Sequence, residues 1–289
     1  MHYALFIKHY SLSIMHYSLC IIMHKKTLSM KRIAFILWAL TLVVQTWAQD
    51  EPPYYFKGLL NGRIQVEIAF ETGNHNIAAG YIYYPKAKNP APILIAGHIS
   101  YDDTTSDVYF REFQPDGTVT GHIHFSFTEV EGDYEFVSGQ WTNPKTLKDM
   151  PFSRMASQFR KPAWYPSSPL TPEDPGNIGR EYSYTFWNSN YKAMMGGEVS
   201  FKAAGKNRLH FSVSNCPQNI AEGDSDPDRP AVLKGNEFEY SNVNECHYGF
   251  RATFFPLFVV LETTEGTDEL HKCFGLGATF DGIYIKQKQ

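Results

Sequence analysis

The sequence predicts an all-β protein with two antiparallel β-domains, and three observations support this class. Aromatic residues make up 15% of the chain, led by Phe and Tyr, and Gly and Pro recur throughout. Many short segments alternate between apolar and polar residues and are separated by turn-forming residues. No long segment has the 3.6-residue apolar spacing of an amphipathic helix. This combination is typical of β-sandwiches and β-barrels.

A succession of short strands is predicted over residues 54–160, the first domain. The clearest strand is Arg63–Phe70, whose apolar and polar residues alternate strictly. The other candidates are Ile77–Tyr84, Pro92–Ile99, Asp107–Phe113, Thr118–Phe127, Tyr134–Trp141 and Met150–Met155. Because the connections are short, we expect an antiparallel meander that closes into a barrel, which would remove the exposed strand edges. An open sandwich is the alternative.

Residues 161–180 contain five prolines and lack a periodic apolar pattern, so we interpret them as a linker. A second β-domain is predicted over residues 181–287. Its strand candidates are Glu198–Ala203, Arg208–Ser214, Glu237–Tyr240, Cys246–Phe255, Leu257–Thr263 and Thr279–Lys286. The polar segment Cys216–Pro230 is rich in Pro and Asp, and it is predicted to be a long loop.

A secretory signal helix is expected at residues 30–48. A short basic segment precedes the uncharged apolar run Ile33–Val44, and small residues then lead to a cleavage site between Ala48 and Gln49. The run is shorter than the about 20 residues of an ordinary transmembrane helix. We therefore expect export to the periplasm or beyond the cell, without a stable membrane span after cleavage.

Residues 1–29 precede this signal and are interpreted as a start-site extension, with a disordered leader as the alternative. Of the 26 Lys and Arg residues, five lie before Gln49, whereas all 30 Asp and Glu residues lie after it. The mature chain then has 21 basic and 30 acidic residues, which is a formal charge of −9. Such a charge disfavours nucleic acids and anionic membrane surfaces as partners.

Four motifs of the first domain carry a resemblance to a known kind of module. They are Gly80–Tyr84, Phe110–Phe113, Asp116–Gly121 and Ser138–Trp141. Together they resemble a module that is common in secreted bacterial proteins of unknown function. The resemblance implies a lipocalin-like (calycin-like) barrel and says little about function.

The second domain resembles the C-terminal β-module of some exported bacterial proteins, including relatives of lysozyme inhibitors. The residues that carry this resemblance are Cys246, the Gly-rich segment Cys273–Ala278 and the closing strand Gly282–Lys286. Those modules often have Cys-Gly-x-Gly, whereas this chain has an additional Phe after Cys273.

Three cysteines, Cys216, Cys246 and Cys273, remain after signal cleavage, and an oxidising compartment favours a disulfide. We expect the pair Cys246–Cys273, with Cys216–Cys246 as the main alternative. His122 and His124 share the polar face of one strand, but the sequence offers no third ligand. No metal site and no cofactor are therefore predicted.

Glu112 is the most interesting polar residue of the first domain. By alternation it shares a strand face with Val108 and Phe110, which favours a place inside the barrel. A buried carboxylate must find partners or become neutral, and Tyr83 or Arg63 is a possible hydrogen-bond donor. We expect either a structural polar contact at Glu112 or a carboxylate at the strand end in water. As a second hypothesis, Glu112, Tyr83 and Trp141 contact a ligand.

Motifs of nucleophilic catalysis such as Gly-x-Ser-x-Gly and His-Glu-x-x-His are absent from the sequence. The leading hypothesis is therefore an exported, non-enzymatic binding or interaction protein of the cell envelope. Its partner would be a small molecule, a glycan, or an envelope or secreted protein. The alternatives are an inhibitor of a cationic hydrolase such as lysozyme and a glycan hydrolase whose carboxylates converge only in the fold.

Overall fold

The structure is a computed structural model that describes residues 53–102, 104–173, 175, 179–242 and 246–288. These residues belong to one compact unit that spans residues 52–289. Both of its sheets are antiparallel, which confirms the all-β class. The predicted signal peptide, its cleavage site and the segment before it lie outside the described residues. None of the described helices is long and apolar enough to cross a membrane.

The first sheet is a closed barrel of eight strands, in which each strand pairs with the next and the last pairs with the first. This arrangement confirms the predicted meander barrel. Its strands are β1 (Tyr54–Leu60), β2 (Ile64–Thr72), β3 (Ile77–Tyr83), β4 (Ile93–Tyr101), β5 (Ser106–Phe113), β6 (Val119–Val130), β7 (Asp133–Thr142) and β8 (Asp149–Ser157), with a 3₁₀ helix at Asn74–Asn76. Sequence analysis missed β1, because its consecutive aromatic residues Tyr54, Tyr55 and Phe56 lack alternation.

Side chains fill the interior of the barrel. The fully or almost fully buried residues of this core are Phe56, Leu60, Val66, Ile68, Phe70, Ala78, Ile82, Ile95, Ile99, Val108, Phe110, Ile123, Phe125, Phe127 and Phe152. The ring of Phe125 lies near the centre of this core, 5.5 Å from the ring of Phe56 and 5.7 Å from that of Phe70, measured between centroids. The barrel is therefore a packed core whose aromatic rings touch edge to face.

A β-bulge between β5 and β6 changes which residues face inward. Glu112 pairs with Gly121 and Phe113 pairs with Val119, so Thr120 is the extra residue on β6. Alternation alone places Val119 on the inward face together with Ile123. Instead Val119 packs outside the barrel against the second sheet, because the bulge reverses the facing of the residues before it.

The second sheet has nine strands, with the spatial order β12-β11-β10-β9-β17-β16-β15-β14 and with β13 paired to β11. Its elements are β9 (Gly179–Asn188), β10 (Ala193–Ala203), β11 (Arg208–Cys216), β12 (Ala221–Asp224), β13 (Ala231–Val232), β14 (Glu237–Asn242), β15 (Tyr248–Phe254), β16 (Phe258–Glu265), α1 (Thr267–Phe274) and β17 (Gly282–Lys286). The sheet curls on itself, since Phe211 of β11 contacts Tyr240 of β14 with ring centroids 4.8 Å apart. The prediction of a second β-region is confirmed.

One local prediction for the second sheet was wrong, and one element was not predicted. The segment Cys216–Pro230 is not a continuous loop, because Ala221–Asp224 pairs with β11 as strand β12. The short helix α1 was not expected, because eight residues are too few to display a helical apolar pattern.

The outer face of the barrel packs against the second sheet. Ile77, Ala79 and Ala96 point away from the barrel interior and belong to the same core as the second sheet. The backbone N–H of Thr185 in β9 also donates to the carbonyl oxygen of Gly117 in the β5–β6 turn, at 3.1 Å. The two sheets are therefore joined by shared apolar packing and by main-chain hydrogen bonding.

The Pro-rich segment covers another part of the outer barrel face. Trp164 donates its indole N–H to Glu67 Oε2 at 2.6 Å, and Tyr165 donates its hydroxyl to Glu71 Oε1 at 3.1 Å. The ring of Trp164 also stacks on Tyr83, with 4.9 Å between centroids. These contacts hold the predicted linker along strands β2 and β3.

Candidate functional site

Glu112 lies at the end of β5, where the barrel meets the β5–β6 turn. Glu112 pairs with Ile95 of β4 on one side and with Gly121 of β6 on the other, and only 5% of its surface is exposed. Val108 and Phe110, which precede it on the same face, are buried in the barrel core as predicted. The carboxylate is thus enclosed at one end of a packed apolar interior.

Three neutral donors hold the Glu112 carboxylate. Thr120 donates its hydroxyl to Oε1 at 2.7 Å, while Tyr84 and Trp141 donate to Oε2 at 3.0 and 3.2 Å. Gly121 makes room for this arrangement, because a Cβ atom at that position would lie 2.1 Å from the indole nitrogen of Trp141. Both carboxylate oxygens therefore accept hydrogen bonds from within the protein, as a buried charge requires.

The hydroxyl of Tyr84 stays protonated in this site. Burial, together with the nearby Glu112 carboxylate, raises the pKa of Tyr84 far above its ordinary value. A proton donor that does not titrate near neutral pH suits a fixed hydrogen-bond network. The geometry of Glu112 accordingly matches the expected structural polar contact.

The predicted ligand-contacting residues do not all come together. Glu112 and Trp141 are in direct contact, whereas Tyr83 lies outside the barrel and stacks on Trp164. Its neighbour Tyr84 reaches Glu112 instead, because successive side chains of a strand point to opposite faces. Arg63, the other donor considered, is exposed. The role of this set in ligand binding stays a prediction.

The two histidines of β6 lie on the outer face of the barrel, where both are half-buried. His124 stacks on Tyr109, with ring centroids 4.5 Å apart, and its Nε2 lies 3.3 Å from Asp107 Oδ1. Burial and the positive charge of Arg111 lower the pKa of His122. Within the described residues, no group of three or more His, Cys, Asp or Glu side chains is arranged to hold a metal ion.

The predicted disulfide Cys246–Cys273 is present and connects the start of the β15 region to helix α1. Its two Cα atoms are 6.0 Å apart, which is the usual separation for a cystine. Cys216 is a free, half-buried thiol. A disulfide of this kind is typical of proteins that fold in an oxidising, exported environment.

A polar cleft on the solvent face of β10, β11 and β12 was not expected from the sequence. Its volume is about 370 Å³. Its lining residues are Ser200, Lys202, His210, Phe211, Ser212, Asp224, Ser225 and Pro227. The alternation of His210 and Ser212 with buried apolar residues marks a polar strand face, but such faces are ordinary on half-exposed sheets.

Cross-strand pairing sets the order of groups in this cleft. Lys202 of β10 lies opposite His210 of β11, and Ser200 lies opposite Ser212, which in turn lies opposite Asp224 of β12. Lys202 and His210 therefore lie side by side in one cross-strand row of the cleft, and Ser200, Ser212 and Asp224 form the adjacent row. Sequence reasoning missed this site, because Asp224 belongs to a strand that was predicted to be a loop.

A buried serine orients the histidine of the cleft. Ser225 Oγ lies 2.9 Å from His210 Nδ1 and accepts the backbone N–H of Phe211 at 3.2 Å. The hydroxyl of Ser225 and the imidazole of His210 thus share one hydrogen bond, which fixes the ring at Nδ1.

No protein-family model, curated protein or solved structure gives a significant match to this chain. By its geometry, the fold is a closed eight-stranded antiparallel barrel joined to a curled nine-stranded sheet.

Proposed function

We propose that the mature chain is an exported, non-enzymatic binding or interaction protein of the cell envelope, working in the periplasm or outside the cell. The observation that carries this proposal is the filled barrel, in which the buried carboxylate of Glu112 has both oxygens engaged by protein donors. The Cys246–Cys273 disulfide supports an oxidising compartment. Partners then bind on the outer surfaces of the protein.

The closed meander of eight strands also supports the likeness of the barrel to lipocalin-like modules. Lipocalins hold a ligand inside the barrel, however, and here six phenylalanine rings and other apolar side chains occupy that space. The packed interior argues against an enclosed small molecule. A glycan or a protein, which can be recognised on a surface, fits this architecture better.

Screening the full-length protein on a glycan array, with calorimetry on each hit, tests the proposal. We expect saturable binding of at least one saccharide without any cleavage of it. Hydrolysis of a bound glycan that is lost in Glu112→Gln would overturn the non-enzymatic assignment. Glu135→Gln, which changes an exposed carboxylate of the same barrel, is the matched control.

Inhibition of a cationic hydrolase is a second candidate, and the charge of the chain favours it. The 30 acidic and 21 basic residues after Ala48 would attract a basic enzyme such as lysozyme. Titrating the protein into a lysozyme assay should then slow turnover, with a weaker effect at high salt. Unchanged turnover at micromolar protein would exclude this candidate.

A further inference from the structure

We infer that the polar cleft on the solvent face of β10, β11 and β12 is a binding site for an acidic saccharide, meaning a sugar that carries a carboxylate among its hydroxyl groups. This inference rests on the proposed binding function and identifies its ligand class. The cleft volume of about 370 Å³ lies within the range of ordinary small-molecule sites, roughly 300–1,000 Å³.

The basic pair of the cleft suits a carboxylate. Lys202 and His210 face each other across β10 and β11, so their Cβ atoms lie about 5 Å apart. Lys202 supplies three N–H donors and a positive charge, and the imidazole of His210, held at Nδ1 by Ser225, can donate to a ligand from Nε2. Two such donors side by side can bind the two oxygens of one carboxylate.

The rest of the cleft suits hydroxyl groups. Asp224 is an acceptor that can take two donors from adjacent sugar hydroxyls, and Ser200 and Ser212 lie in the same cross-strand row as Asp224, next to the row of Lys202 and His210. The ring of Pro227 adds an apolar wall for the C–H face of a sugar ring. A simple anion would use only Lys202 and His210, and a neutral sugar would gain nothing from the charge of Lys202.

The framework of the site is rigid, which favours binding. Ser225 has 8% of its surface exposed and is hydrogen-bonded to the backbone of Phe211, while β11 is paired on both sides. His210 is therefore held in position before any ligand arrives, and little side-chain entropy is lost at that residue on binding.

Calorimetric titration of the full-length protein with sodium glucuronate tests this inference, with glucose and acetate as the neutral and the anion-only probes. We expect glucuronate to bind at least tenfold more tightly than either of them. The variants Lys202→Ala and His210→Phe should each weaken glucuronate binding at least tenfold. Lys206→Ala, an exposed lysine in the turn of the same hairpin that does not line the cleft, should stay within twofold of the parent.

The outcomes separate the ligand class and the cleft from the proposed function. Equal binding of glucuronate and acetate would overturn the saccharide class, and unchanged binding in Lys202→Ala and His210→Phe would overturn the cleft as its site. Binding of only neutral glycans or of a protein would sustain the proposed binding function and overturn this inference. Circular dichroism of each variant verifies that a loss of binding does not reflect a loss of fold.

Discussion

The barrel and the second sheet deal with exposed strand edges in different ways. The barrel pairs β1 with β8, where Leu60 lies opposite Phe152 and the N–H of Asn61 donates to the carbonyl oxygen of Pro151, and so has no free edge. The second sheet ends at β12 and β14, which approach each other without pairing in a ladder. Tyr240 links the two ends, since its ring packs on Phe211 and its hydroxyl accepts the N–H of Asp226 at 3.1 Å.

This difference explains where each region leaves room for a ligand. Closure turns the inward faces of all eight barrel strands into one core, and aromatic side chains fill it. The open sheet also buries its inner face, yet its end strand β12 lies at a rim, where Asp224, Ser225 and Pro227 rise beside β11. The open sheet therefore carries the cleft, whereas the closed barrel serves as a packed body.

The largest expected effects come from the two cores. Phe125→Ala in the barrel and Phe250→Ala in the second sheet should each lower the free energy of unfolding by about 3–5 kcal/mol, because both rings are almost fully buried. Urea unfolding followed by circular dichroism should show one transition for each variant, since both sheets belong to one compact unit. Phe159→Ala, at a side chain that is 75% exposed, is the control and should change stability by less than about 0.5 kcal/mol. Two separate transitions would contradict a shared core.

Removing the disulfide should affect the second sheet more than the barrel. Replacing Cys246 and Cys273 together by Ser should cost about 3–4 kcal/mol, because the unfolded chain regains the entropy of an unclosed loop. Hydrogen exchange should then increase chiefly in β15, β16 and α1. Cys216→Ser is the matched control and should leave those segments protected. A similar increase in the barrel strands would show that the two regions depend equally on the cystine.

Alkaline pH should destabilise the protein through buried tyrosines. Burial, reinforced by Glu173, raises the pKa of Tyr182 to about 12, so the folded state disfavours its ionised form. The unfolded state loses this proton near pH 10. The contribution of Tyr182 to the free energy of unfolding is therefore fully present below about pH 10. It falls by about 1.4 kcal/mol per pH unit as the pH rises toward 12. Urea midpoints measured from pH 8 to 12 should fall less steeply in Tyr182→Phe. An unchanged slope would mean that Tyr182 does not titrate with unfolding.

The smallest expected effect concerns the buried carboxylate of the barrel. Glu112→Gln should lower the free energy of unfolding by about 1–3 kcal/mol, because an amide has only one oxygen to accept from Thr120, Tyr84 and Trp141. Glu135→Gln changes an exposed side chain of β7 and should be nearly neutral. Thermal unfolding monitored by circular dichroism measures both changes. A higher free energy of unfolding in Glu112→Gln would indicate that the desolvation of the carboxylate outweighs the stabilisation from its hydrogen bonds.

Local alternation predicted much of the fold. Val66, Ile68 and Phe70 alternate along β2 and do enter the barrel core. The pair Cys246–Cys273 also formed as expected. The strand prediction depends on a pattern that is visible within a few residues. The disulfide prediction depends on the presence of a second cysteine that can pair with the first.

Other features depended on neighbours that a single strand cannot reveal. Tyr84 continues the inward alternation of Ala78 and Ile82 just past the end of β3, and the register between strands brings it, rather than Tyr83, to Glu112. Val119 faces outward because a bulge adds Thr120 to β6. Strand β12 is too short and polar to be recognised from its sequence, and it forms because it pairs with β11.

The sequence by itself determined the β class, the meander order of the barrel and a second β-region, because side-chain alternation and turn residues act over a few positions. Only the tertiary structure decided how the edges close, which donors hold Glu112 and which polar groups meet in the cleft. These depend on register between strands that are distant in sequence, such as the placement of Lys202 opposite His210 and of Ser212 opposite Asp224. A shift of one residue in register would send each of those side chains to the opposite face.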